Sequence, residues 1–221
     1  ESQGKKFADD VLNLLVIILL GIVFLVEIFT PYVVFLIAPG FTEETIKFDL
    51  AVALTRITFP FLFFVSLSSF FSGILNTNNK FAAAAAAPII LNIFLILSLV
   101  ISNLFNLNFE VNLSYAVSLA GLFQLIFLIF FTKRYYKPTI NFKITISSKV
   151  KMFLKKLLPS IFSSGVTQIN ILVGTIIASF EAGAVSYLYY ADRIYQINLA
   201  IAGIAIGTVA LPELAKNIKK G

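Results

Sequence analysis

Long apolar runs alternate with short polar breaks along the whole chain. Six runs approach or exceed the roughly 20 residues a helix needs to cross a hydrocarbon core about 30 Å thick. They are Val11–Ile37, about Leu50–Leu75, Phe81–Ile101, Val111–Phe131, Leu157–Phe180 and Gly183–Leu211. Turn formers close several of them: Ala38-Pro39-Gly40, Asn76-Thr77-Asn78-Asn79, and Pro212. Runs this long far exceed ordinary strands, and a helix satisfies its own backbone in lipid, so the pattern predicts an all-α integral membrane protein with six transmembrane helices.

Composition agrees and narrows the chemistry. Hydrophobic residues make up 59% of the 221 residues and charged ones 13%, against about 45–50% and 25% in soluble domains. The chain has no histidine and no cysteine, which removes imidazole catalysis, thiol chemistry, disulfides and Cys/His metal sites. Eleven scattered acidic residues give little material for paired-carboxylate chemistry. No nucleophile–base pair stands at usable spacing, so no enzyme, metal or cofactor is expected. The chain starts at Glu1 without the pattern of a signal peptide, as an internal stretch of a longer protein would.

The net charge of +6 changes meaning once the runs are placed. Fourteen of the seventeen basic residues fall on one side of the six runs: Lys5, Lys6, Lys80, eight within 132–156, and Lys216, Lys219 and Lys220. The other side holds Lys47 among Glu43, Glu44, Asp49, Glu110 and Glu181. Basic loops stay cytoplasmic, so both ends of the chain are expected inside the cell. With the basic residues where topology demands them, nucleic acid is not an expected partner.

The one long connection, 132–156, carries Lys133, Arg134, Lys137, Lys143, Lys149, Lys151, Lys155 and Lys156. It divides a four-helix group from a two-helix group. Val150, Phe153, Leu154 and Leu157 repeat at helical spacing among those lysines. Two readings stand: a short amphipathic helix on the anionic leaflet, or a solvated basic linker. Ala82–Ala87 forms the one low-complexity run and suits close helix packing.

Ionisable residues inside the runs cost about 2.5–3.5 kcal/mol each at a helix centre on insertion scales, so each needs a partner or a wet cavity. Asp192 and Arg193 lie about ten residues into the sixth run, or roughly 15 Å deep at 1.5 Å per residue. Ser186, Tyr189, Tyr190, Arg193, Gln196 and Ile197 fall at helical spacing, a polar stripe with one guanidinium down one face. On the fifth run Ser160, Ser163, Ser164, Thr167, Gln168 and Asn170 form a second polar surface. A water-filled cavity with an anionic ligand fits these stripes, because guanidinium matches phosphate oxygens and stays charged. A sealed Asp192–Arg193 ion pair is the other reading. Arg56 either snorkels towards Asp49 and lipid phosphate or joins the cavity. Glu27, one turn before Pro31, belongs to a local helix kink.

Tyr189-Tyr190-Ala191-Asp192-Arg193, then Gly203-Ile204-Ala205-Ile206-Gly207-Thr208 and Leu211-Pro212-Glu213-Leu214, resemble the signature of the MurJ (MviN) lipid II flippases. Ala38-Pro39-Gly40-Phe41, Thr58-Phe59-Pro60, Gly73-Ile74-Leu75-Asn76 and Lys80-Phe81 extend the resemblance over nearly the whole chain. That family belongs to the multidrug/oligosaccharidyl-lipid/polysaccharide exporter superfamily. The resemblance implies about fourteen helices in two lobes around a cationic cavity, with this chain as the third to eighth helices. Residues 1–131 then give four helices of the first lobe, 132–156 a basic cytoplasmic inter-lobe linker, and 157–221 the first two helices of the second lobe. Two helices before the chain and about six after it complete the fold.

The resemblance also implies the activity: moving the undecaprenyl-diphosphate precursor lipid II from the cytoplasmic to the periplasmic leaflet of the bacterial inner membrane by alternating access. Arg193 matches the family's cavity arginine, Asp192 its neighbouring carboxylate and Ser186 a polar cavity position. Gln196 stands where some members carry Glu, and Asn198 where Pro is common. The expected substrate-binding set is thus Arg193, Asp192, Ser186, Gln196 and Arg56, with membrane lipids and the remaining helices as partners. Export of another lipid-linked oligosaccharide or a drug, and a non-transporting membrane scaffold, are the competing functions.

Overall fold

A computed structural model of the chain describes residues 3–197. The chain runs α1 (Gln3–Ile37), a 3-10 turn (Pro39–Glu43), α2 (Thr45–Thr58), α3 (Pro60–Thr77), α4 (Phe81–Phe105), α5 (Phe109–Thr132) and α6 (Ser148–Ala178). A last helix, α7, starts at residue 184 and continues to 197. The protein is all-α, with no strand among the described residues. Taking α2 and α3 as one span, five helices are long and apolar enough to cross a membrane. Their lipid-facing sides expose large side chains such as Phe24, Leu36, Ile96 and Phe130. The sixth expected run begins as α7; its remainder, with Asn198, the motifs at 203–208 and 211–214 and Lys216, Lys219 and Lys220, lies outside the described residues.

Three boundaries differ from the hydropathy pattern. Helix α1 begins at Gln3, not Val11, because Asp9 and Asn13 on its opening turns bind the later linker rather than water. The second span is two helices broken at Phe59, since Pro60 lacks the N–H that would meet the Arg56 carbonyl. Ser118 of α5 reaches that break and donates to the Ile57 carbonyl. The third difference concerns residues 148–156. They are helical, as the amphipathic reading expects, but form the opening turns of α6, which runs on through Pro159, rather than a short helix of their own. Ser147 caps that helix, accepting from the Val150 N–H.

The expected kink in α1 is present. Phe29 leaves helical geometry at φ −97, ψ 19, two residues before Pro31. Pro31 deprives the Glu27 carbonyl of its helical donor. The buried Thr30 hydroxyl lies 3.1 Å from that carbonyl and 2.7 Å from the Val26 carbonyl, so the bend keeps a donor at hand.

Helices α1, α3, α4 and α5 form the packed group, with α5 packing most extensively on α4 and α3. Leu12, Val16 and Leu19 meet Leu67, Phe71 and Leu75, with Ala87, Leu125 and Leu128 closing the cluster. Ala87 is buried and Ala83 packs against the same cluster, so one face of the alanine run does bring α4 close. Between α4 and α5 the chain turns in three residues: Asn106 takes left-handed geometry and Asn108 caps α5 through the Val111 N–H.

Candidate functional site

Alternating helices collect the basic residues at one end of the molecule. The start of α1, the α3–α4 turn and the exit of α5 line one cavity there, bringing Lys5, Lys133, Arg134 and Lys137 together. At the opposite, acidic end, the turn after α1 touches the end of α6. The four-helix group and α6 therefore meet at both ends.

Four of the five expected site residues, Arg193, Asp192, Ser186 and Gln196, sit on α7. Arg193 is exposed and its Nη2 donates to the Tyr189 hydroxyl at 2.7 Å, one turn back. The guanidinium carbon also lies 4.9 Å from the Tyr189 ring centroid, a geometry worth about 0.5–1 kcal/mol at an exposed site. Gln196 Nε2 donates to Asp192 Oδ2 at 2.5 Å. Asp192 and Arg193 thus take separate partners, each at i, i+4 spacing, and do not use each other. Ser186 is exposed two turns before Arg193 on the same helical face.

Tyr189 belongs to the stripe that spacing predicts, yet spacing alone assigns it no role. Its distance of four residues from Arg193 is the signal that points to one. The phenol takes one guanidinium nitrogen of Arg193 and its ring lies against the same group.

Helix α6 supplies the second polar surface. Ser160, Ser163, Ser164, Thr167, Gln168 and Asn170 are all exposed. A helix facing lipid all round would not keep six polar side chains on one side. Arg56 sits on a different helix. It is exposed in the last turn of α2, which packs on α1, α3 and α5. No group of three His, Cys, Asp or Glu suited to a metal occurs among the described residues.

Two seams tie α1 and the turn after it to the linker and to α6. At the acidic end the Gly40 N–H donates to Ser179 Oγ at 3.0 Å. A Cβ at Gly40 would stand 2.3 Å from the Ser179 carbonyl oxygen, so only glycine fits without movement. At the basic end Asn13, only 2% exposed, is saturated. Its Nδ2 donates to the Asp9 and Thr139 carbonyls at 2.8 and 2.9 Å, and its Oδ1 accepts from the Asn141 and Phe142 N–H groups at 2.9 and 3.0 Å. Phe142 is held at φ 52, a left-handed geometry unusual for phenylalanine, where its N–H points at Asn13. Asp9 Oδ1 accepts from the Tyr136 hydroxyl at 2.6 Å and the Thr139 N–H at 3.0 Å. Burial, and then the Asp9 carboxylate beside it, push the Tyr136 phenol well above its usual range. Phe7 packs edge-on against Phe153 of α6, with ring centroids 5.9 Å apart.

The family model described as "Lipid II flippase MurJ" matches residues 1–221. A protein of Rhizobium tropici named "Probable lipid II flippase MurJ" is 40% identical over 223 residues, covering 99% of this chain and 42% of that protein. One of Rickettsia prowazekii with the same name is also 40% identical, covering 99% and 43%. A Burkholderia cenocepacia protein named "Lipid II flippase MurJ" is 37% identical over 191 residues, covering 84% and 37%. A solved structure described as "Lipid II flippase MurJ, inward closed conformation" superimposes with a TM-score of 0.79 at 28% identity, over 99% of this chain and 45% of that one. The chain spans less than half the length of these relatives.

Proposed function

The chain belongs to the MurJ lipid II flippase family, and from that premise we propose that the full-length protein carries lipid II across the bacterial inner membrane, with Arg193 as a diphosphate-binding cation in a central cavity. The observation that carries this reading is the state of Arg193. On a helix of a strongly apolar run, its guanidinium is exposed and steadied by Tyr189 rather than neutralised by Asp192. Two N–H groups of such a fork can meet two phosphate oxygens, and a charge-assisted pair of this kind gains strength in a site of low dielectric. Asp192, held by Gln196, and Ser186 supply polar neighbours for bound water or sugar hydroxyls. The polar face of α6 gives the cavity a second wall.

The positive-inside rule places the basic end, and both ends of the chain, in the cytoplasm. Alternating access then works through the two seams between the four-helix group and the rest of the chain. The Gly40–Ser179 contact serves as the outer latch of this cycle and parts when the cavity opens outward. The strap at Asn13 stays made, so the second lobe pivots beyond residue 142. Arg56, exposed in the last turn of α2, serves the lipid interface more than the diphosphate.

Depletion of the native protein and complementation with full-length variants tests the reading. Arg193→Ala is expected to abolish complementation and to leave lipid II accumulating on the cytoplasmic side. Accumulation of a different lipid-linked precursor would transfer the reading to another exporter of the superfamily.

A further inference from the structure

We propose that the basic end of the four-helix group holds one anionic phospholipid, its phosphodiester at Arg134 and an acyl chain lying along the start of α4. Two cavities adjoin there. The first, about 610 Å³, lies between the opening of α1, the end of α3 and the exit of α5. Lys5, Lys133, Arg134 and Lys137 line it, with no acidic residue in its wall among the described residues. The second, about 310 Å³, has an apolar wall of Leu75, Ala82, Ala83 and Phe131, with Lys80 beside them. Arg134 and Tyr135 line both. One guanidinium therefore stands where a cationic space joins a greasy one.

That junction selects a lipid over a free anion. A phosphate ion uses only the first space, whereas a phosphodiester carrying an acyl chain fills both. The local carboxylate is already committed: Asp9 accepts from Tyr136 and from the Thr139 N–H. The Lys133 ammonium sits 4.1 Å over the Phe130 ring, so of the three cations at the exit of α5 Arg134 and Lys137 face the phosphodiester. Tyr135 is exposed at the join, where an interfacial tyrosine places its ring in lipid and its hydroxyl in water. The alanines explain the groove. Ala83 and Ala87 pack on the core while Ala82 is exposed and small, so the α4 surface stays shallow beside Lys80. The inference stands apart from the reading of Arg193, since the two sites share no residue.

The test is native mass spectrometry of the full-length protein, delipidated in detergent and titrated with phosphatidylglycerol or phosphatidylcholine. Wild type is expected to retain one phosphatidylglycerol in preference to phosphatidylcholine. The double variant Arg134→Gln/Lys137→Gln is expected to lose that retention by about fivefold or more. Ala82→Leu fills the apolar groove without altering charge and is expected to weaken retention too. Lys143→Gln/Lys151→Gln removes the same charge outside both cavities and is expected to retain the lipid as wild type does. Equal retention of the two lipids would overturn the proposal, as would wild-type behaviour of the first double variant. Displacement of the lipid by millimolar inorganic phosphate together with an inert Ala82→Leu would show a free-anion site and overturn it. Equal loss in the control double variant would reduce the effect to bulk charge and do the same.

Discussion

The backbone N–H of Gly40 donates to Ser179 Oγ across 139 residues of chain, joining the turn after α1 to the residue that ends the α6 rod. Gly40 is buried and Ser179 only 2% exposed, so the contact is dry. Ser179 also donates to the Ile176 carbonyl at 2.7 Å, which fixes its hydroxyl as the acceptor that Gly40 meets.

Glycine is required at position 40 by contact, since an added Cβ would press on backbone that cannot rotate away. Gly40→Ala is expected to destabilise the closed outer seam by about 1–3 kcal/mol, the range for overpacking. Gly73 is the internal control, because a Cβ there meets nothing within 4 Å and the position is helical. Gly73→Ala is expected to be neutral or to stabilise by up to about 1 kcal/mol. Thermal unfolding of the full-length protein in detergent checks the pair.

Asn13 makes four hydrogen bonds from one carboxamide, three of them to the linker. Asn13→Leu preserves bulk but strands the amides of Asn141 and Phe142. The expected cost is about 1–3 kcal/mol, from two half-buried N–H groups that lose their acceptor. Hydrogen exchange of those two amides reads it directly: protected in the wild type, fast in the variant, with the amides of α4 unchanged.

Tyr136 makes the same strap sensitive to alkali. Its phenol binds its proton more tightly folded than unfolded, so the contribution is whole below the ordinary tyrosine value of 10.0. It is lost as pH rises past that value, because the unfolded chain then gives up a proton that the folded one keeps. Between about pH 9 and 11 the wild type is expected to lose thermal stability faster than Tyr136→Phe. Below that window, Tyr136→Phe is the less stable by about 1 kcal/mol for the lost bond to Asp9. Melting curves across the range show whether the difference closes.

Much of the fold was legible because lipid imposes a simple demand. A run such as Phe81–Phe105 has to be a helix, and the polar turn ending at Lys80 marks where it starts. Pro31 made the α1 bend readable as well. Hydropathy was blind where a helix continues outside the hydrocarbon, as at residues 3–10, and at 148–156 helical spacing showed a helix but not its continuity with α6. The break at Phe59 was masked by the apolar residues around Pro60. At the site, the stripe at 186–193 could be placed on one face from spacing alone. Which partner Arg193 takes could not, because Asp192 and Tyr189 are both within its reach and only side-chain rotamers decide between them.

Tyr189 is expected to act through aim rather than charge. Tyr189→Phe keeps the ring beneath the guanidinium and loses the 2.7 Å bond, so a several-fold loss of transport is expected, about 1 kcal/mol. Tyr189→Leu removes both and is expected to cost more. A transport assay on reconstituted full-length protein orders the three, and equal activity in all would assign Tyr189 to packing alone.

Transport in this scheme turns on Arg193 meeting the diphosphate, and reconstituted flipping of lipid II by the full-length protein measures that most directly. Arg193→Ala is expected to lower the rate by about tenfold to a hundredfold, the worth of one hydrogen-bonded charge. Arg193→Lys is expected to fall between, keeping the charge without the fork. A wild-type rate for Arg193→Ala, in protein that folds and inserts normally, would contradict a diphosphate-binding role for this arginine.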